Sequence, residues 1–226
     1  MPITLKNKAC AEFVLSADGP VLVSEKFSGD LDPTTADARF LTGQNGSEEC
    51  CVIPGSTLKG IFRSFFETNE RYRMSDTEDL FGTVKSHEDG KAYKGRIAFH
   101  DAYADMSGVR MIIRTSTAIA AHTQSAMTTT LNNVLAVEKG DFLAGFTLVN
   151  YSDDELFYLL CALNLVNEGF IRIGGRKSRG YGKMTVKSFR LTTTEGYNPD
   201  LTEKPAFCSD DLAAAKQHYK EVCGNG

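Results

Sequence analysis

The chain has 226 residues, of which 42% are apolar, 24% charged and 10% aromatic, with a formal net charge of −4. That length allows one domain or two small ones, and the composition is that of a soluble globular protein. No apolar run approaches the roughly 18 residues that cross a bilayer, and MPITLKNKAC lacks the apolar core of a secretory signal, so a cytoplasmic protein with no membrane partner is expected.

Six cysteines without a C-x-x-C pair do not make a disulfide framework, and the four histidines (His87, His100, His122 and His218) are scattered without metal-ligand spacing. The negative net charge taken alone speaks against a nucleic-acid partner, but distribution matters more than the sum. Residues 171–187 hold six cations and no acid, whereas residues 192–226 hold six acids against three lysines.

In chain order, AEFVL (11–15) and PVLV (20–23) read as strand pieces about a turn at Asp18-Gly19. Residues 24–50 are polar and read as a long loop, of a length that usually carries function. In VIPGSTLKGIFRSFFE (52–67), Ser56 is placed to cap a helix running to about Asn69. Leu58, Ile61, Phe62 and Phe65 give that helix an apolar stripe, and Lys59 and Arg63, one turn apart, share a face beside it. Residues 71–94 are polar, with a little helix at most, and GRIAFHDAY (95–103) alternates like a strand.

FLAGFTLVN (142–150) is a further strand, weakened or bulged at Gly145. SDDELFYLLCALNLVNEG (152–169) is the clearest helix. It has a Ser152/Glu155 capping box, a stripe of Leu156, Leu159, Leu160 and Leu163, and Gly169 just past its end. KMTVKSFRL (183–191) is a last core strand, with Met184, Val186 and Phe189 or Leu191 competing for its inner face. A helix near 209–222, capped by Ser209, closes the chain.

The order strand, helix, strand, strand, helix, strand predicts an α+β, ferredoxin-like (RRM-type) βαββαβ core with a long loop before its first helix. Between the second and third core strands, residues 114–140 form an insertion rich in Thr, Ala and Asn, projecting as a hairpin or lying as a loop.

IRIGGRKSRGYGK (171–183) interleaves glycines with cations. Glycine lets backbone approach a ligand closely, successive N–H groups can cradle an anion, and Arg and Lys add charge-assisted bonds to phosphate oxygens. The stretch is neither G-x-x-x-x-G-K-[ST] nor G-x-G-x-x-G, so a polymeric phosphate suits it better than a mononucleotide. A helix start behind Pro54-Gly55-Ser56, with Lys59 and Arg63 near it, offers a second anion site. The two corners are expected to converge into one track for a sugar–phosphate chain.

IPGSTLKGIFRSFFE, then GRIAFHDAY, then GGRKSRGYGKM, in this order, resemble the RAMP superfamily, in particular the backbone subunits of type III CRISPR effector complexes. The likeness spans about residues 11–191 and divides the chain into an RRM-like domain, 1–191, with a thumb at about 114–140, and an acidic extension with a short helix, 192–226.

The resemblance implies a subunit that stacks head to tail with its own copies along a CRISPR guide RNA, beside other effector subunits, and meets complementary target RNA. Ser56, Lys59, Arg63, Arg114, Gly174, Gly175, Arg176, Lys177, Arg179 and Lys183 are the implied RNA-binding residues. In cleaving members an Asp in the loop before I-P-G-S cuts the target, with Mg²⁺ or Mn²⁺ and the 2′-OH as nucleophile. That loop offers Asp30, Asp32 and Asp37 here; its alignment with the family favours Asp37 as catalytic, with Asp32 second.

The region SADGPVLVSEKFSGD departs from the family in lacking an H-I-G element. A non-cleaving guide-RNA scaffold is the alternative. A stand-alone processing endoribonuclease, which has two ferredoxin-like units and a catalytic His, fits the length less well.

Overall fold

The computed structural model describes residues 5–24, 38–85, 90–116, 132–196 and 205–224. The chain runs β1 (Asn7–Ala17), β2 (Ala38–Arg39), β3 (Thr42–Asn45), β4 (Glu48–Ile53), α1 (Gly55–Glu67), α2 (Met74–Phe81), β5 (Ile97–Phe99) and β6 (Ala102–Asp105). It continues through β7 (Arg110–Ser116), β8 (Asn132–Lys139), β9 (Asp141–Val149), α3 (Asp153–Asn167), β10 (Met184–Glu195), β11 (Phe207–Ser209) and α4 (Leu212–Gly224).

Among the described residues the main sheet is antiparallel, in the order β11-β10-β1-β9-β6-β4-β3, with β5 also pairing with β9. Its centre is the ferredoxin-like order of fourth, first, third and second core strand, as the sequence predicted.

Alternation sets which face is buried. Ala9, Ala11, Phe13 and Leu15 of β1 and Phe142, Ala144, Phe146 and Leu148 of β9 point inward. Against them lie Leu58, Phe62 and Phe66 of α1 and Leu156, Leu159, Leu160, Leu163 and Val166 of α3. Each buried phenylalanine contributes about 1.5–3 kcal/mol. The α1 stripe is turned slightly from the expected one: Phe66 is fully buried, against Tyr72 and Phe81, while Ile61 and Phe65 are partly exposed.

Competition along β10 is resolved by a β-bulge. Val14 pairs with Ser188 but Leu15 with Val186, so Lys187 is the extra residue. The parity of inward positions switches there, from Met184 to Phe189 and Leu191. Lys187 turns outward and its ammonium donates to both carboxylate oxygens of Asp141, at 2.9 and 3.1 Å.

The expected strand 95–103 is broken in two at His100 and Asp101. Within the expected 24–50 loop, residues from Ala38 onward form β2, β3 and the start of β4. Within 71–94 the helix is α2.

The expected insertion begins as an arm of regular structure. β7 and β8 pair antiparallel, and β2 adds to β8 in parallel, making a separate three-stranded sheet. Residues 117–131 lie outside the described part, as does His122. The boundary at 191/192 falls inside β10, and the segment after it belongs to the same body: β11 pairs with β10, and Leu212, Ala215 and Tyr219 of α4 enter the main core. Asp211, not Ser209, caps α4, its carboxylate accepting from the Ala213 amide at 2.8 Å.

Candidate nucleic-acid interface

The Pro54-Gly55-Ser56 entry to α1 is shaped by close backbone approach. A Cβ on Gly55 would lie 2.3 Å from the Phe99 carbonyl oxygen, so only glycine lets the helix start press on the end of β5. The cap is not Ser56, which is exposed at the second helical position. Pro54 is the N-cap residue, and Asp101 supplies the side chain, its Oδ1 accepting from the Gly55 amide at 2.7 Å. The break between β5 and β6 places Asp101 there. A carboxylate thus already occupies part of the positive helix end that the sequence offered to phosphate. Asp101→Ala is expected to cost about 0.5–2 kcal/mol in urea denaturation, as cap deletions do; an unchanged midpoint would show that the contact contributes nothing.

Lys59 and Arg63 do share a flank. Successive helical residues turn by about 100°, which sets both about 160° from Ile61. Arg63 is committed within the fold, its Nη1 donating to the Gly82 carbonyl at 2.8 Å and its Nε to Glu67 at 2.7 Å. The opposite flank of α1, with Ile61, Ser64 and Phe65, is the one facing the glycine-rich loop through Arg172 and Lys177. The two cationic corners therefore do not merge into one patch, which corrects the single-track expectation.

The glycine-rich loop is braced rather than slack. Gly174 has φ +90° and Gly182 φ +89°; a Cβ would lie 2.2 Å from the Leu22 carbonyl oxygen at the first and 2.5 Å from that of Ile173 at the second. The amides of Ile173, Gly175, Arg179 and Gly182 donate to carbonyls of Gly182, Leu22, Arg176 and Pro20. With these amides committed, the loop's exposed charges are the Lys177, Arg179 and Lys183 side chains. Arg176 is left-handed at φ 55°, a conformation costing roughly 1–2 kcal/mol, and its guanidinium donates to the side chain of Asn132, the first residue of β8.

A second tie joins loop and hairpin. Arg114 on β7 lies over the Tyr181 ring, 5.7 Å from its centroid, and Tyr181 is buried in a small cluster with Leu22, Val134 and Ala136. Arg114 and Arg176 thus tie the glycine loop to the hairpin toward its Ser116–Asn132 end, with Lys177 and Arg179 next to them in the loop. Lys183 lies at the loop's end, paired with Asp18 at 2.8 Å, an ion pair that holds the Asp18 carboxyl below its usual range. Sequence reasoning missed Asn132, Tyr181 and Asp101. The aromatic between two glycines in RGYGK was a signal for Tyr181; nothing local marked the other two.

Asp30, Asp32 and Asp37 lie outside the described residues. The residues right after Asp37 do not: Ala38 and Arg39 pair with Val134 and Leu135 of β8, and the Phe40 amide donates to the Leu135 carbonyl. Among the described residues no group of three or more His, Cys, Asp or Glu could hold a metal ion. Burial pushes the Cys51 thiol up to about 11, which keeps it neutral. His100, exposed at the strand break, is within 3.2 Å of Thr147 Oγ1.

The RAMP superfamily model matches residues 40–185. The chain is 26% identical over 162 residues to the CRISPR system Cms endoribonuclease Csm3 of Streptococcus thermophilus, covering 64% of this chain and 73% of that protein. A crystal structure of a Csm3-Csm4 subcomplex in the type III-A CRISPR-Cas interference complex aligns with a TM-score of 0.57 at 16% identity, over 97% of this chain and 98% of the other, which establishes likeness of fold. A family match across well over half the sequence, on a ferredoxin-like body with a braced glycine loop set against a hairpin, places the chain in the RAMP superfamily.

Proposed function

We propose that this protein is a backbone subunit of a type III CRISPR effector complex. It binds guide RNA, stacks head to tail with its own copies beside other effector subunits in the cytoplasm, and cleaves complementary target RNA when Mg²⁺ or Mn²⁺ is supplied. The observation that carries the reading is the glycine loop held against the hairpin, with the exposed cations Lys177 and Arg179 next to Arg176, and Arg114 across from them. Fixed cations on a rigid loop suit a sugar–phosphate chain, which they grip without reading bases.

Ser56 and Lys59, at the start of α1, form a second and separate contact in this proposal. Membership of the RAMP superfamily and the likeness to a CRISPR endoribonuclease support it.

For cleavage, Asp37 is the proposed catalytic residue and Asp32 the second candidate. The segment that begins at the next residue, Ala38, pairs with Val134 and Leu135 of β8, which supports this choice. The test assembles the complex with a guide, adds complementary RNA with Mg²⁺ or Mn²⁺, and compares wild type with Asp37→Ala and Asp32→Ala. Regularly spaced products that vanish only in Asp37→Ala are expected. Loss only in Asp32→Ala moves the role to that residue, and uncut target with wild type leaves the non-cleaving scaffold.

A further inference from the structure

Phe170 is a large apolar side chain left 79% exposed, directly before the glycine-rich loop. Its backbone is fixed. α3 ends in a Schellman turn, with Gly169 at φ +76°, its amide donating to the Val166 carbonyl and the Phe170 amide to the Leu165 carbonyl. That motif normally folds the residue at this position down onto the helix, yet here most of the ring faces water. It borders a groove of about 400 Å³ between α1 and α3, floored by Ile61, Phe65, Leu165 and Ile171. Among the described residues lining this groove, the charges are Arg172 and Lys177, with no carboxylate. By contrast, the cleft between α2 and the start of α3 mixes Arg71 and Arg96 with Asp76, Asp79, Asp154 and Glu155.

We propose that Phe170 is a stacking platform for an unpaired base of the bound RNA, with Arg172 and Lys177 receiving the adjoining phosphates. An aromatic face set among cations is how single-stranded nucleic acid is held without sequence preference. Here the ring is carried on a turn that is already rigid, so little ordering remains to be done on binding. The groove is also continuous with the loop that bears Arg176 and Arg179. This inference rests on the RNA-binding reading above and extends it to a base contact that no backbone grip supplies.

The test uses the full chain, a short unstructured oligoribonucleotide carrying 2-aminopurine, and fluorescence anisotropy across a salt series. Phe170→Ala is expected to weaken binding about 5- to 150-fold and to abolish 2-aminopurine quenching. Its slope of log affinity against log salt should match wild type, since no phosphate contact is lost. Phe170→Tyr should keep affinity and quenching, whereas Lys177→Ala should lower the slope by about 0.7.

Wild-type affinity and quenching in Phe170→Ala would overturn the platform while leaving the RNA-binding reading intact. So would a variant whose self-association falls while its RNA affinity holds, because the ring would then belong to a protein contact. A wild-type chain that fails to bind RNA at any salt would overturn both.

Discussion

Arg96→Ala is expected to lower the unfolding free energy by about 3–5 kcal/mol, the cost of stranding a buried charge. Arg96 begins the second half of the core, just ahead of β5, and is the knot between α2, β9 and α3. Its Nη1 donates to the Asn150 carbonyl at 2.7 Å and to Glu155 Oε2 at 3.0 Å, its Nη2 donates to the other Glu155 oxygen, and its Nε reaches Asp79 at 2.8 Å. The side chain of Glu155 is only 10% exposed, and the same carboxylate accepts from the Ser152 amide to complete the α3 capping box.

Removing the guanidinium strands that carboxylate and loosens the start of the helix. For a chain of this length the melting temperature should fall by something on the order of 10 °C. Asp79 supplies the contrast. Its side chain is 62% exposed, so Asp79→Ala should cost no more than about 1 kcal/mol. Equal, small losses in both variants would show that Arg96 is not the knot described.

Adjacent glycines should behave in opposite ways. Gly174→Ala places a Cβ 2.2 Å from the Leu22 carbonyl oxygen, in a conformation with φ +90°. Left-handed strain of roughly 1–2 kcal/mol and an overpacking cost of roughly 1–3 kcal/mol both apply, so a loss of about 2–5 kcal/mol is expected. Because a backbone carbonyl cannot swing aside, the loop must shift, and on the proposed function RNA affinity falls with it. At Gly175 the same Cβ would be 3.8 Å from that oxygen, an ordinary contact, and its amide bond to Leu22 survives substitution. Gly175→Ala should therefore stay within about 0.5 kcal/mol of wild type in chemical denaturation. If the two variants unfold alike, the brace against Leu22 is not what the first glycine serves.

What the sequence made legible was local. The Ser152/Glu155 box and Gly169 delimit α3 because each end signal lies within a turn of the helix it marks. The ferredoxin-like order followed from alternation and helical period alone. The start of α1 was misread because its cap comes from Asp101, 46 residues away, and Ser56 was the only local candidate. The inner face of β10 was ambiguous because one extra residue, Lys187, reverses the alternation partway along.

The insertion stayed open between hairpin and loop, since Val134 and Ala136 of β8 pack in a small satellite cluster with Tyr181 rather than in the main core. The glycines of 171–183 were read as freedom to approach a ligand. Gly174 and Gly182 instead use that freedom against the protein's own carbonyls, which spacing along a sequence does not reveal.

The acidic extension is built into the main body through β11 and α4. With α4 laid on α3 and Tyr219 just 4% exposed, a version trimmed where the family pattern stops would bare an oily stripe and cut β10 short of its last residues. Such a fragment would be prone to clump before any assay of its chemistry. Any piece made for assay should keep β11 and α4.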